Sequence, residues 1–154
     1  MRVAALVLVG LLASQPAQAK NVILFLGDGM GISTVTAARI FAGQQQGLQG
    51  EEYDLAFDKF DNVALIKTYN TDAQVSDSAG TISAIVTGQK TRMGVLSVTS
   101  EVARDDCEAA LKNELPTILE LAEEAGMASG VVSTARITHA TPAGTYAHVP
   151  NRDW

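Results

Sequence analysis

An aspartate between two glycines, Gly27-Asp28-Gly29, and a hydroxyl-rich stretch, Thr71-Asp-Ala-Gln-Val-Ser-Asp-Ser-Ala-Gly-Thr81, are where residue type and spacing suit chemistry. Glycines beside Asp28 leave no Cβ between its carboxylate and a ligand. Carboxylates are hard oxygen ligands suited to Mg²⁺, and they also serve Zn²⁺. The same triplet also reads as an ordinary turn after a strand. Ser76, Asp77 and Ser78 each suit a helix N-cap. That geometry would also place the Ser78 hydroxyl beside free backbone N–H groups at the positive end of a helix, where phosphate binds. A serine is a weak nucleophile until a base or a metal acts on it. His139 and His148 are the only histidines and there is no Gly-x-Ser-x-Gly elbow, so no Ser-His-Asp triad is indicated. A metal held by Asp28 is the better source of activation, provided the two loops adjoin.

The elements that would bring them together read as follows. Residues 21–26 (NVILFL) are a continuous apolar run that stops at the glycine turn, as a strand buried on both faces does. Further strands are predicted at residues 63–69 (VALIKTY), within 95–98 and at 128–133. Helices are predicted at residues 32–42, with Ser33 and Thr34 at its N-terminus, at 79–87 before Gly88, and at 116–125, with Pro116 in its first turn and Gly126 as its left-handed stop. Alternating strands and helices without repeats or linkers predict an α/β class: a central, mostly parallel sheet with helices on both faces. Functional loops of such a sheet lie at the strand carboxyl ends. Asp28, the segment 71–78 and the segment 134–141 fall there.

The first residues bear on where the chain works. Met1-Arg2, an apolar run over residues 3–13 and a small-residue pattern at Ala17 and Ala19 read as a secretory signal peptide over residues 1–19, leaving 20–154 as one domain. The apolar run falls short of the roughly 20 residues a spanning helix needs, so export to a periplasmic or extracellular space is expected, with no membrane association. Removing Arg2 takes the formal charge from −6 to −7. An acidic chain is a poor candidate for nucleic-acid binding, which relies on basic patches. Cys107 is the only cysteine, either a free thiol or half of a disulfide to residues beyond these. Arg136 and Lys67 read as solvated surface charges and His148 as structural.

Taken together and in order, the segments 21–31, 75–81, 87–91, 132–135 and 139–143, with Ala147-His-Val149 and Arg152, resemble the N-terminal part of an alkaline phosphatase. The resemblance covers nearly the whole chain after residue 19. It implies hydrolysis of small phosphate monoesters through a phosphoserine, with two Zn²⁺, one Mg²⁺ and a homodimer. By position it makes Ser78 the nucleophile, Asp28 a carboxylate bridging zinc and magnesium, and Thr141 a magnesium ligand. Arg152 becomes the phosphate-binding guanidinium, and Asp77 the carboxylate that orients it. His139 falls where the family carries aspartate or histidine near the magnesium. The family's remaining ligands, an Asp-x-x-x-His group, an Asp-His pair, a later histidine and a glutamate, lie C-terminal to the matched region. The expectation is therefore the front of a longer precursor, with an incomplete sheet, that alone holds zinc poorly and turns nothing over. Alternative readings are a superfamily phosphodiesterase or sulfatase, and a non-catalytic secreted phosphate-binding domain.

Overall fold

The computed structural model describes residues 21–154, so the signal peptide expected at 1–19 lies outside the described residues. Five α-helices follow in order: α1 (Ile32–Gln44), α2 (Ser78–Thr87), α3 (Cys107–Ala110), α4 (Ile118–Glu124) and α5 (Ala140–Ala143), with a 3-10 turn at Ala56–Lys59 between the first two. Each boundary has a local cause. At α2 the Asp77 side chain accepts a hydrogen bond from Gly80 N, and Gly88 ends the helix in the left-handed region at φ 75°. At α4 the caps are reciprocal: Thr117 N donates to Glu120 Oε2 at 2.7 Å while Glu120 N donates to the Thr117 hydroxyl. That box starts the helix after Thr117 and leaves Pro116 outside it, whereas the sequence pattern had Pro116 in the first turn. Gly126, at φ 78°, follows the helix as expected. Helix α1 begins at Ile32 behind Gly31 with no side-chain cap, so Ser33 and Thr34 do not serve there. The segment that begins at Cys107 forms α3, capped by Asp106, with Cys107 an exposed free thiol.

The core sits on α2. Ala79, Ile82 and Val86 are buried with Leu96, Ala140 and Ala143, and Val149 packs against them. Fully burying an isoleucine or leucine contributes about 1.5–3 kcal/mol, so this cluster fixes α5 against α2. The approach is close at Gly144, where a Cβ would lie 2.5 Å from Ile82 Cγ2. A second cluster holds Val95, Val98, Val102 and Ala110. Between them Ser83, fully buried, donates to Ala79 O at 2.8 Å and accepts from Ser97 N at 2.8 Å.

The expected central sheet is not confirmed among the described residues. Pairing there is limited to two isolated antiparallel bridges, Leu96 with Val149 and Val98 with Glu114, which fall on the predicted strand at 95–98. Segments 21–26, 63–69 and 128–133 make no ladder, and Phe25, Leu65 and Val132 are 89%, 99% and 99% exposed. A strand exists only through a neighbour that takes its N–H and C=O groups, and no described segment is that neighbour.

Candidate functional site

Packing of α5 on α2 has a direct consequence for the loops. Ser78 is the first residue of α2 and Thr141 lies in α5, so one buried cluster sets both hydroxyls toward Asp28. Ser78 Oγ donates to Asp28 Oδ1 at 3.0 Å and Thr141 Oγ1 donates to Asp28 Oδ2 at 2.7 Å. His139, which precedes α5, holds its Nδ1 3.7 Å from Asp28 Oδ2, too far for a hydrogen bond, and that nitrogen is buried without any partner. The hydroxyl bond from Thr141 holds the Asp28 carboxyl below its ordinary value of 3.8; partial burial opposes this, while Ser78, His139 and Arg152 add to it. Asp28 is thus ionised at neutral pH, an acceptor rather than a proton carrier. The flanking glycines serve the backbone: a Cβ at Gly27 would strike Met30 at 2.6 Å, and Gly29 takes φ 66°. The sequence had left ligand access and an ordinary turn both open for this triplet, and the positive φ of Gly29 agrees with the turn.

Asp77, not Ser78, is the helix cap. Its Oδ1 accepts from Gly80 N at 3.0 Å and from Asn70 Nδ2 at 3.1 Å. Its Oδ2 accepts from Gly94 N at 3.1 Å and from Arg152 Nη1 at 3.1 Å. Burial raises the pKa of this carboxyl, yet the Gly80, Arg152 and Asn70 bonds outweigh it, and the net direction is downward. With the cap supplied by its neighbour, the Ser78 hydroxyl is released from capping and faces Asp28 at the positive end of a ten-residue helix. Among the described residues the rest of the Arg152 guanidinium makes no hydrogen bond, which leaves donors for an anion.

All six residues singled out in sequence are therefore placed in two linked groups, Asp28-Ser78-Thr141-His139 and Asp77-Arg152, joined through the adjacent residues 77 and 78. Two members went unread. Asn70 is buried beside Gly80, where a Cβ would lie 2.5 Å from its Oδ1, and Gly94 offers a backbone N–H. Neither carries a sequence signal, since both act through contacts made across the fold.

A carboxylate with a threonine hydroxyl beside it is a pair of oxygen donors that fits a hard cation such as Mg²⁺. Zinc needs three or more protein ligands. Among the described residues no group of three or more His, Cys, Asp or Glu side chains is disposed to hold a metal, so a pair of zinc ions does not fit these residues.

Comparison with known proteins places this geometry in context. The family model described as alkaline phosphatase matches residues 19–154. The tissue-nonspecific isozyme of alkaline phosphatase from Gallus gallus is 57% identical over 136 residues, covering 88% of this chain and 26% of its own; the Homo sapiens isozyme is 54% identical with the same coverage. The chain thus spans about a quarter of the length of these curated relatives. Among solved structures, a cold-active alkaline phosphatase from Shewanella superposes with TM-score 0.68 at 33% identity, over 82% of this chain and 29% of that one. A mutant of the alkaline phosphatase of the Antarctic bacterium TAB5, with Mg bound in its M3 site, superposes with TM-score 0.66 at 30% identity, over 82% and 31%.

Proposed function

Since the chain belongs to the alkaline phosphatase family, we propose that it carries the nucleophile and phosphate-binding part of an exported phosphomonoesterase. The observation that bears this reading is the Ser78 hydroxyl, free of capping, hydrogen-bonded to an ionised Asp28 and adjacent in sequence to the carboxylate that holds Arg152.

In this mechanism Arg152 binds two oxygens of the substrate phosphoryl group as a planar fork, a geometry that a lysine point charge does not match. Asp77 fixes the orientation of that fork from behind. The N-terminus of α2 adds its positive end to the same anion. Ser78 Oγ then attacks phosphorus as the bond to the ester oxygen breaks; the Ser78 proton passes to solvent, the departing oxygen takes a proton from water and leaves as the alcohol, and water later cleaves the phosphoserine to release inorganic phosphate. Asp28, held as a carboxylate, accepts the Ser78 hydrogen bond and aims the oxygen. Asp28 and Thr141 would hold a Mg²⁺, with His139 beside it; when bound, cations in such a site lower the cost of serine alkoxide and leaving-group charge. The two zinc ions expected for the whole enzyme would need ligands from outside these residues. The extended segments 21–26, 63–69 and 128–133 are proposed as strands of an α/β sheet, and the enzyme as a homodimer.

Export rests on the sequence of residues 1–19; among the described residues no helix is long and apolar enough to cross a membrane. The substrate class is tested by comparing hydrolysis rates of matched phosphate monoester, phosphate diester and sulfate ester. The monoester is expected to react fastest, because after Arg152 takes two oxygens its dianion keeps a third free oxygen that a diester lacks and one more negative charge than a sulfate ester carries; a faster diester or sulfate ester would overturn the assignment.

A further inference from the structure

The backbone that carries Arg152 is gripped on both flanks. Asn151 is 8% exposed and engages both ends of its side-chain amide. Its Oδ1 accepts from Arg104 Nη2 at 3.1 Å and from Asp153 N at 2.9 Å, while its Nδ2 donates to Asp105 Oδ1 at 2.5 Å. Arg104 Nη2 also reaches Asp153 Oδ2 at 2.6 Å, so one guanidinium bridges the residues on either side of Arg152. Asp105 N in turn donates to Pro150 O at 3.0 Å, and Asp105 sits at φ 69°, a left-handed conformation that side chains rarely adopt and that persists only where the surroundings hold it.

Gly94 joins this grip to the site. Arg152 N donates to Gly94 O at 2.9 Å, and Gly94 N donates to the same Asp77 oxygen that holds the Arg152 guanidinium. A Cβ on Gly94 would lie 3.2 Å from Arg104 Nη1, so the Arg104 guanidinium lies close against this glycine. The main chain and the side chain of Arg152 are thus referred to one frame.

We propose that Asn151, with Arg104 and Asp105, is a positioning residue that presets the Arg152 fork for phosphate. The proposal rests on the phosphate-binding reading of Arg152. None of the three touches the site of reaction; they act by fixing the backbone from which the guanidinium projects, so that little order is lost when the anion arrives.

The test measures inorganic phosphate binding, by calorimetry and by competitive inhibition, on metal-loaded enzyme expressed from the full reading frame. Asn151→Ala is expected to weaken phosphate affinity about tenfold, in line with the cost of misplacing a binding group. Arg104→Gln, a half-exposed change that tests the same grip if Asn151→Ala does not fold, is expected to weaken it about threefold, part of the same effect. Asp105→Asn keeps both the acceptor and a residue type that tolerates positive φ, and should retain wild-type affinity. In an Arg152→Ala background neither Asn151→Ala nor Arg104→Gln should weaken binding further. A further loss in that background would show a general structural role and overturn the proposal. So would wild-type affinity in Asn151→Ala and Arg104→Gln while Arg152→Ala loses phosphate. If Arg152→Ala itself binds phosphate normally, the phosphate-binding reading of Arg152 fails, and the proposal with it.

Discussion

Asp77 divides its oxygens between a helix and an arginine: Oδ1 caps α2 and takes Asn70, while Oδ2 takes Gly94 and Arg152. Its two duties can be separated by substitution. Asp77→Asn leaves an acceptor for Gly80 N, and Asn caps about as well as Asp, but it removes the charge that holds the guanidinium. The expected outcome is a helix that stays capped, a melting temperature modestly lowered by the lost Gly94 bond, and inorganic phosphate affinity weakened roughly tenfold, the scale of one charge-assisted hydrogen bond. Thermal melts alongside phosphate inhibition check this; unchanged inhibition would contradict it. Asp28 and Ser78 were legible in sequence because a glycine-flanked carboxylate and a hydroxyl-rich helix start are local patterns, whereas Thr141, His139, Arg152 and the role of Asp77 toward Arg152 came only through the family resemblance. What was not legible was which residue caps: Ser76, Asp77 and Ser78 all suit the position, and only the Gly80 contact decides.

At the scale of elements, α4 is tied to the rest by a histidine. His148 Nε2 meets Glu120 Oε1 at 2.9 Å and its Nδ1 meets Ser97 O at 2.9 Å, so the N-terminal turn of α4 is bonded to the segment that leads to Arg152. Burial works against the imidazolium, but the Ser97 carbonyl and Glu120 outweigh it and raise the His148 pKa above 6.5. For Glu120 burial is likewise outweighed, by Thr117 and His148, and its pKa falls below 4.5. A raised histidine pKa contributes stability that is complete below 6.5 and is lost as pH climbs through the folded value. A lowered glutamate pKa contributes stability that is complete above 4.5 and is lost as pH falls through the folded value. The pair therefore stabilises most between those two pH values. His148→Gln should narrow its melting-temperature deficit as pH rises, measured over about pH 5 to 9; a deficit that stays constant would contradict the ion pair. The sequence marked His148 as structural and residues 116–125 as a helix, yet nothing in it paired His148 with Glu120, because the contact joins positions 28 residues apart.

Over the whole molecule, helices and site were easier to read than the sheet. Helix ends are decided within a few residues, by Asp77 and Gly88 at α2 or Thr117 and Glu120 at α4. The apolar runs at 21–26, 63–69 and 128–133 have strand composition, but pairing is a property of neighbours, and among the described residues none pairs with them. Even so, the loops that follow these segments converge. Asp28 and Ser78 are 50 residues apart, and Thr141 lies 113 beyond Asp28, yet both hydroxyls close on one carboxylate. That convergence is what the functional account rests on, and its central claim is that Ser78 carries the phosphoryl group. The most direct measurement is peptide mass spectrometry of the full-length enzyme quenched at acid pH after exposure to a phosphate monoester. The account predicts a phosphoryl group on the peptide containing Ser78, absent from Ser78→Ala along with turnover. Turnover with Ser78 unmodified, or with the phosphoryl group on another residue, would contradict it.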